Sequence, residues 1–349
     1  MRKKFFQLTP LHKQKLLSFI LLILGLLPYG SYLAYVLWAG QGPVDYQTFM
    51  SIGERFLQGK QVYVENSYYP LPYVMIFAFF RLLPTSLSLV LWLATPVLCA
   101  LFITRGKPWV LIFAPLYAHF VGGQSSLFGM LSVWGYKQNL QADKAKGGIF
   151  LALTLLKPQL AIFPTLFALW HWMQYFRSTK KLPAQLIAWI CTALILYAPA
   201  FVISPHWLSD WAQVRRPFSA RALAGLLPRL LLSFELEPRI FLLLLLPASI
   251  LLWIGIYRFL HNSMPFEAWL MGSFLINPLI HDYDLIQLIP LLQTKKQQWL
   301  AQFASLPGWL TILFAYQDDT AWFTFSLIAP VLLVALCCEL RQLETPVQV

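Results

Sequence analysis

Apolar residues in this chain fall in long runs instead of alternating or heptad patterns. Residues 16–38 carry no charge and follow Arg2, Lys3, Lys4, Lys13 and Lys15. A transmembrane helix needs about 20 apolar residues, so this run predicts a first span. It lacks the short core and small-residue cleavage site of a signal peptide. Lys and Arg accumulate on the cytoplasmic side of membrane proteins, which places residues 40–68 outside. The second half follows the same logic. Arg177, Lys180 and Lys181 stand inside, and 182–204 runs outward. An outer loop spans 205–238, and 240–257 returns to Arg258. Residues 264–280 go out, His281 to Asp284 mark the outer end, and a short return reaches Lys295 and Lys296. Residues 298–316 and 321–338 form a last pair.

Between Tyr69 and Arg177 the apolar pieces are broken by Pro72, Pro84, Pro96, Pro115 and Pro158. One reading counts 69–104 as a single broken crossing. Arg105, Lys107, Lys137, Lys144 and Lys146 then lie inside, and Gln124 and Lys157 lie toward the outside. The other treats 147–176 as one interrupted helix and leaves those five cations outside. The charge rule favours the first. The expectation is an all-α polytopic membrane protein of about 12 spans, forming one integral membrane domain over residues 1–349. No repeat of 20 to 50 residues and no soluble domain interrupts it.

Composition agrees with that reading. Of 349 residues, 58% are hydrophobic and 11% charged, where a soluble domain carries roughly a quarter charged. Disorder, collagen and coiled coil are excluded. The net charge of +12 sits in short clusters between apolar runs, which points to membrane sidedness and not to nucleic acid. Cys99, Cys191, Cys337 and Cys338 lie in apolar runs without a CxxC pair, as buried small hydrophobes do.

Candidate chemistry is confined to the outer ends of the runs. In the first outer loop Phe49, Ile52 and Phe56 recur at helical spacing beside Gln47, Glu54 and Arg55, predicting an amphipathic helix on the interface. Asp45 begins it, either as an N-cap or as a general base held at the bilayer surface. Glu54 and Glu65 read as solvated. Tyr68, Tyr69 and Tyr73 are interfacial anchors or the lining of a lipid or sugar groove. Gly122-Gly123-Gln124-Ser125-Ser126 is a tight turn that carries a polar amide to membrane depth, where an unpaired polar group is costly. Lys157 precedes Pro158 in an apolar segment. Such a lysine either snorkels or meets an anion. Arg215, Arg216, Arg221 and Arg229 stand on the outer side against the charge rule, facing anionic headgroups or clamping a phosphate. Asn277-Pro278 leads to His281, Asp282 and Asp284, where a histidine beside carboxylates is either structural or a proton carrier. GxxxxGK[ST], GxGxxG, HExxH and GxSxG are all absent.

Taken together these features resemble glycosyltransferase family 87. The likeness rests on an Asp just past the first span, an aromatic-proline start to the next, Gly123-Gln124, Lys157-Pro158 and the 277–284 stretch, and it covers about residues 15–290. Ser125-Ser126 departs from the family, which more often has Asn soon after Gly-Gln. The resemblance implies a GT-C-type membrane fold and transfer of a hexose, mannose first, from a polyprenyl-phosphate sugar to a lipid or glycan acceptor at the extracytoplasmic face. By position it makes Asp45 the catalytic base and His281 a second active-site residue. Lys157, Gln124, Arg215, Arg216, Arg221, Tyr69, Asp282 and Asp284 are then expected to bind substrate. No metal or other cofactor is expected, since phosphate is already a good leaving group. The expected partners are the lipid-linked donor, the acceptor and membrane lipids, in the plasma membrane. The rival class is a transporter or lipid flippase, for which inverted or parallel repeats are the usual signature.

Sidedness gives the first prediction. In a variant stripped of its native cysteines, Asp45→Cys and His281→Cys should both label from outside with a membrane-impermeant thiol reagent. Labelling of either only after permeabilisation would separate the two residues.

Overall fold

A computed structural model describes residues 10–64, 67–214, 225–234, 237–260, 264–314 and 321–344, and among them there are helices and no β-strand. In chain order the α-helices are α1 (Pro10–Ala39), α2 (Val44–Leu57), α3 (Leu71–Arg81), α4 (Thr85–Ile103), α5 (Ala114–Gly122), α6 (Leu127–Lys137), α7 (Ala145–Ala152) and α8 (Pro158–Thr179). They continue with α9 (Ala184–Ile203), α10 (Trp207–Gln213), α11 (Leu226–Leu232), α12 (Pro238–Phe259), α13 (Phe266–Ile276), α14 (Lys295–Phe314) and α15 (Ile328–Glu344). Short 3₁₀ segments occupy Pro108–Ile112, Leu153–Leu156, Asp282–Leu291 and Ala321–Leu327.

Among the described residues, four helices are long and apolar enough to cross a membrane: Lys15–Ala39, Thr85–Ile103, Ala184–Ile203 and Thr324–Arg341. Leu71–Arg81, Ala145–Leu156, Leu243–Phe259 and Phe266–Ile276 are apolar but shorter. Proline is the main reason for the fragmentation, because it lacks an N–H and clashes with the preceding turn. It opens α3, α5, α8 and α12 at their first or second positions. The outer faces of the long helices are bare hydrocarbon, with Phe19 58% and Ile195 73% exposed. Such surfaces suit lipid and not water. The four cysteines are unpaired.

The helix expected after the first span is α2, but its apolar stripe is spent on protein. Phe49 and Ile52 are buried, and Phe49 stacks on Phe77 of α3 with centroids 4.7 Å apart. Aromatic rings of α3 and Trp92 of α4 cover the face that an interfacial helix would give to lipid.

The middle of the chain resolves into hairpins. Helix α7 passes into 3₁₀ turns and stops at Lys157, which leaves the helical region at φ −129° and ψ 79°, as the residue before a proline is disfavoured from staying helical. Pro158 then starts α8. Trp172, well down α8, donates its indole N–H to Gln185 of α9 at 2.7 Å. That same Gln185 lies against Gly147 and Gly148 at the start of α7. Helices α7 and α8 therefore fold back on each other with Lys157 at the tip. The interruption expected within 147–176 falls at Lys157-Pro158, where one helical segment ends and the next begins. Turn Gly123–Ser126 similarly joins α5 to α6.

Packing of α9 on α7 generates the second prediction. A Cβ at Gly148 would collide with the backbone oxygen of Gln185, whereas one at Gly30 of α1 meets nothing within 4 Å. Alanine favours a helix over glycine by roughly 0.5–1 kcal/mol, but forcing helices apart costs about 1–3 kcal/mol. Thermal unfolding in detergent should show Gly148→Ala destabilised and Gly30→Ala unchanged or more stable.

Candidate active site

The site is organised by one turn. Gly123 ends α5 in the left-handed region at φ 65°, a conformation that glycine adopts without cost. Its missing side chain matters as well, since a Cβ would lie 2.9 Å from Tyr46 Cβ and 3.0 Å from Pro43 Cβ. The start of α2 thus reaches the turn, and the indole of Trp92 holds the Gly123 carbonyl at 2.8 Å.

Each of the next three residues then reaches a different part of the chain. The Gln124 amide donates to Asp45 Oδ2. The Ser125 carbonyl accepts from the Tyr73 hydroxyl, and Ser125 Oγ donates to the Tyr69 hydroxyl at 3.1 Å. Ser126 Oγ donates to Asp284 Oδ1, and its backbone N–H donates to His119 Nε2 at 3.1 Å. Lys157 closes the set from the α7–α8 tip, donating to Ser126 Oγ at 2.9 Å and to Asp284 Oδ1 at 2.6 Å. Its ammonium also lies 4.8 Å from the centre of the Tyr283 ring.

Asp45 does not cap α2. The cap position is Pro43, without a side-chain bond, and Asp45 sits inside the first turn with its carboxylate turned to Gln124. Of the two readings of Asp45, the N-cap is removed. Burial raises its carboxyl above the ordinary aspartate range, and the Gln124 bond and the Lys157 charge only partly hold it down. The other carboxylates differ. Burial alone pushes Asp284 up, but Lys157 and His281 outweigh it and hold it below the usual value. Asp282 is buried without such a cation. Burial, helped by the charges of Asp284 and Asp45 against backbone hydrogen bonds, brings it to about 7. Three neighbouring aspartates therefore sit at three different proton affinities, the arrangement that lets one site hold both acid and base.

His281 begins the 3₁₀ segment at Asp282. Its imidazole accepts the Asp284 backbone N–H while Asp284 Oδ2 accepts the His281 backbone N–H at 3.0 Å, and its ring stacks on Tyr283. Asn277 is a brace, bonding the Gln159 carbonyl at 3.0 Å and the Leu279 N–H at 2.9 Å.

Asp45, Gln124, Lys157, His281, Asp282, Asp284 and Tyr69 thus share one neighbourhood. Arg215, Arg216 and Arg221, like Glu65 and Glu235, lie outside the described residues. Arg229 is nearly buried in α11. Lys157 was expected to need a substrate anion, and the structure supplies Asp284 as its partner. Ser126 and Tyr283 stand inside motifs read from the sequence without a role of their own, and His119 is not among the candidates. His119 had a visible signal, being the one histidine in the stretch from 108 to 136. Among the described residues no three His, Cys, Asp or Glu side chains converge as metal ligands do. Compared with known proteins, the chain matches no family model, no curated sequence and no solved structure.

The ion pair carries the third prediction. Lys157 is 3% exposed and Asp284 fully buried. Removing one partner of a buried pair costs about 3–5 kcal/mol, whereas replacing both with neutral groups costs little. Lys157→Met should melt well below wild type in detergent, and Lys157→Met with Asp284→Leu should recover most of the loss. Equal melting of single and double variants would mean that the pair contributes nothing.

Proposed function

We propose that the chain is a multi-pass plasma-membrane glycosyltransferase of GT-C type, similar to glycosyltransferase family 87. It would move a hexose, mannose being the first choice, from a polyprenyl-phosphate sugar to a lipid or glycan acceptor at the extracytoplasmic face. The observation that carries the reading is that one turn, 124–126, bonds Asp45 at one end and the Lys157–Asp284 pair at the other. A base and a cation are thereby held at fixed separation, as displacement of a phosphate by a hydroxyl demands.

In this reaction Asp45 takes the proton of the acceptor hydroxyl. The oxygen bonds to the anomeric carbon as the carbon–oxygen bond to phosphate breaks, and polyprenyl phosphate leaves with the electron pair. Attack opposite the leaving group inverts the anomeric centre. The raised Asp45 carboxyl makes it a stronger base than an ordinary aspartate. Lys157, aimed by Ser126 and Asp284, would face the charge that grows on the phosphate, with one or more of Arg215, Arg216 and Arg221 as candidates to assist it. A neighbouring apolar cavity of about 420 Å³ starts at Pro158 and is walled by Tyr68, Ile162, Trp211 and Leu279. It suits the first isoprene units of a lipid donor. On this reading the short helices and 3₁₀ segments complete about 12 passes, and residues 205–238 lie outside. One observation favours the rival carrier: the buried pair joins two broken segments, at Lys157-Pro158 and at Asp282–Leu291, as transporter sites do.

The fourth prediction separates them. Asp45→Asn keeps the bond from Gln124 but cannot accept a proton, so transfer from a radiolabelled polyprenyl-phosphate sugar should fall about 100-fold or more. Donor binding should persist. In wild type, kcat/KM should fall as pH drops through the raised Asp45 value, because protonation removes the base. Gln124→Leu deletes a bond that lowers that value, so its acid limb should move to higher pH. Near wild-type turnover in Asp45→Asn would move the search to His281, Asp282 and Asp284, and absence of any labelled product would favour the carrier.

A further inference from the structure

Two lysines that are distant in sequence, Lys107 and Lys295, meet at one place away from the candidate active site. Ser18, just past Lys15 on α1, Lys107 before the 3₁₀ segment Pro108–Ile112, and Lys295 at the start of α14 line one cavity of about 780 Å³. Its walls are otherwise largely apolar, with Leu21 and Leu24 of α1 facing Leu111. A second cavity of about 480 Å³ shares Lys107 and Gln298 with it and adds Arg105, Gln138 and Gln293. One chamber is therefore polar and cationic, and the adjoining one is greasy.

Among the described residues, no carboxylate lines the cavities that hold this charge. Among the described residues no carboxylate lies within ion-pair distance of Arg105, Lys107 or Lys295. Glu339, which bonds Thr294 and Gln297, lines neither chamber. Two further features belong to these walls. Arg105 follows α4 at φ 55°, in the left-handed region where glycine is the ordinary choice. Lys180 takes the same conformation after α8, so this is a helix-end turn, and here it sets Arg105 on the wall of the polar chamber. Trp109, in the wall of the larger cavity, is 6% exposed, and its indole N–H meets no acceptor among the described residues.

We propose that the joined cavities hold an anionic phospholipid of the leaflet that faces Lys107 and Lys295. Its phosphate would sit among Arg105, Lys107 and Lys295, and its acyl chains would lie along Leu21, Leu24 and Leu111. Basic pockets between membrane helices on the cytoplasmic side bind such headgroups, and the charge rule assigns these three cations to that side. The site is independent of the transfer reaction. It ties α1, the 108–112 segment and α14 together through a lipid.

The test compares thermal unfolding of the full-length protein in detergent with added dioleoylphosphatidylglycerol or dioleoylphosphatidylcholine at equal mole fraction. A ligand of the native state raises the midpoint with the logarithm of its concentration relative to its dissociation constant. Phosphatidylglycerol should raise it by several degrees, and phosphatidylcholine should not. Affinity should weaken about fivefold for each cation removed, and about a hundredfold in Arg105→Gly with Lys107→Gln and Lys295→Gln. Arg105→Gly alone is the informative variant. Glycine relaxes the backbone, so without lipid it should melt no lower than wild type while responding less to phosphatidylglycerol. Equal stabilisation by phosphatidylcholine would overturn the proposal, as would a full phosphatidylglycerol response in the triple variant. Inorganic phosphate reproducing the effect would overturn it in favour of a free anion.

Discussion

A lysine ammonium inside a protein is tolerated only when a carboxylate is buried with it, because desolvating either charge alone costs several kcal/mol. Lys157 and Asp284 satisfy that condition at 2.6 Å, and three parts of the chain are arranged around it. Helices α7 and α8 turn back at Lys157, the 3₁₀ segment from Asp282 presents its carboxylate, and the α5–α6 turn inserts Ser126 between them. Segments more than a hundred residues apart are thus held in register by one ionic contact. Apolar packing alone would leave their depth free to slide.

Turn 123–126 extends that constraint to α2. Gly123 permits the approach, Gln124 spends its amide on Asp45, and Ser126 bonds the ion pair. Asp45 and Lys157 share no bond, yet the Lys157 charge lowers the proton affinity that burial has raised at Asp45. The same burial brings Asp282 to about 7, while Asp284, beside the cation, stays ionised. Burial is common to all three, and the charges and hydrogen bonds beside each one distinguish them. A surface cluster of aspartates would titrate together near the ordinary value.

The far end of the bundle follows a different principle. There the cations face cavities instead of carboxylates, and the apolar wall is shared with the outward surface of α1. A protein that pairs its charge internally at one end and leaves it unpaired at the other is asymmetric in what it can bind. The paired end suits a reaction that needs charges fixed in direction. The unpaired end suits an anion that arrives with its own hydrocarbon.

The linear chain was enough to predict helices and the apolar runs of α1, α4, α9 and α15. Hydropathy and the cost of bare backbone polar groups in lipid act on segments, and segments are visible in sequence. Phe49 and Ile52 likewise revealed α2, because helical spacing is local. That α2 packs on α3 was not visible, since an apolar stripe reads the same against lipid and against aromatic rings. Asp45 as cap or free carboxylate was equally open, because only the position of Gln124, 79 residues away, decides it. Lys157 announced a need for an anion, but a residue type does not say which one, and Asp284 met it only once α8 and the 282–291 segment were placed. Propensity and periodicity act over a few residues and the pairing of buried charges acts across the whole chain, so the first could be read from sequence and the second belonged to the tertiary structure.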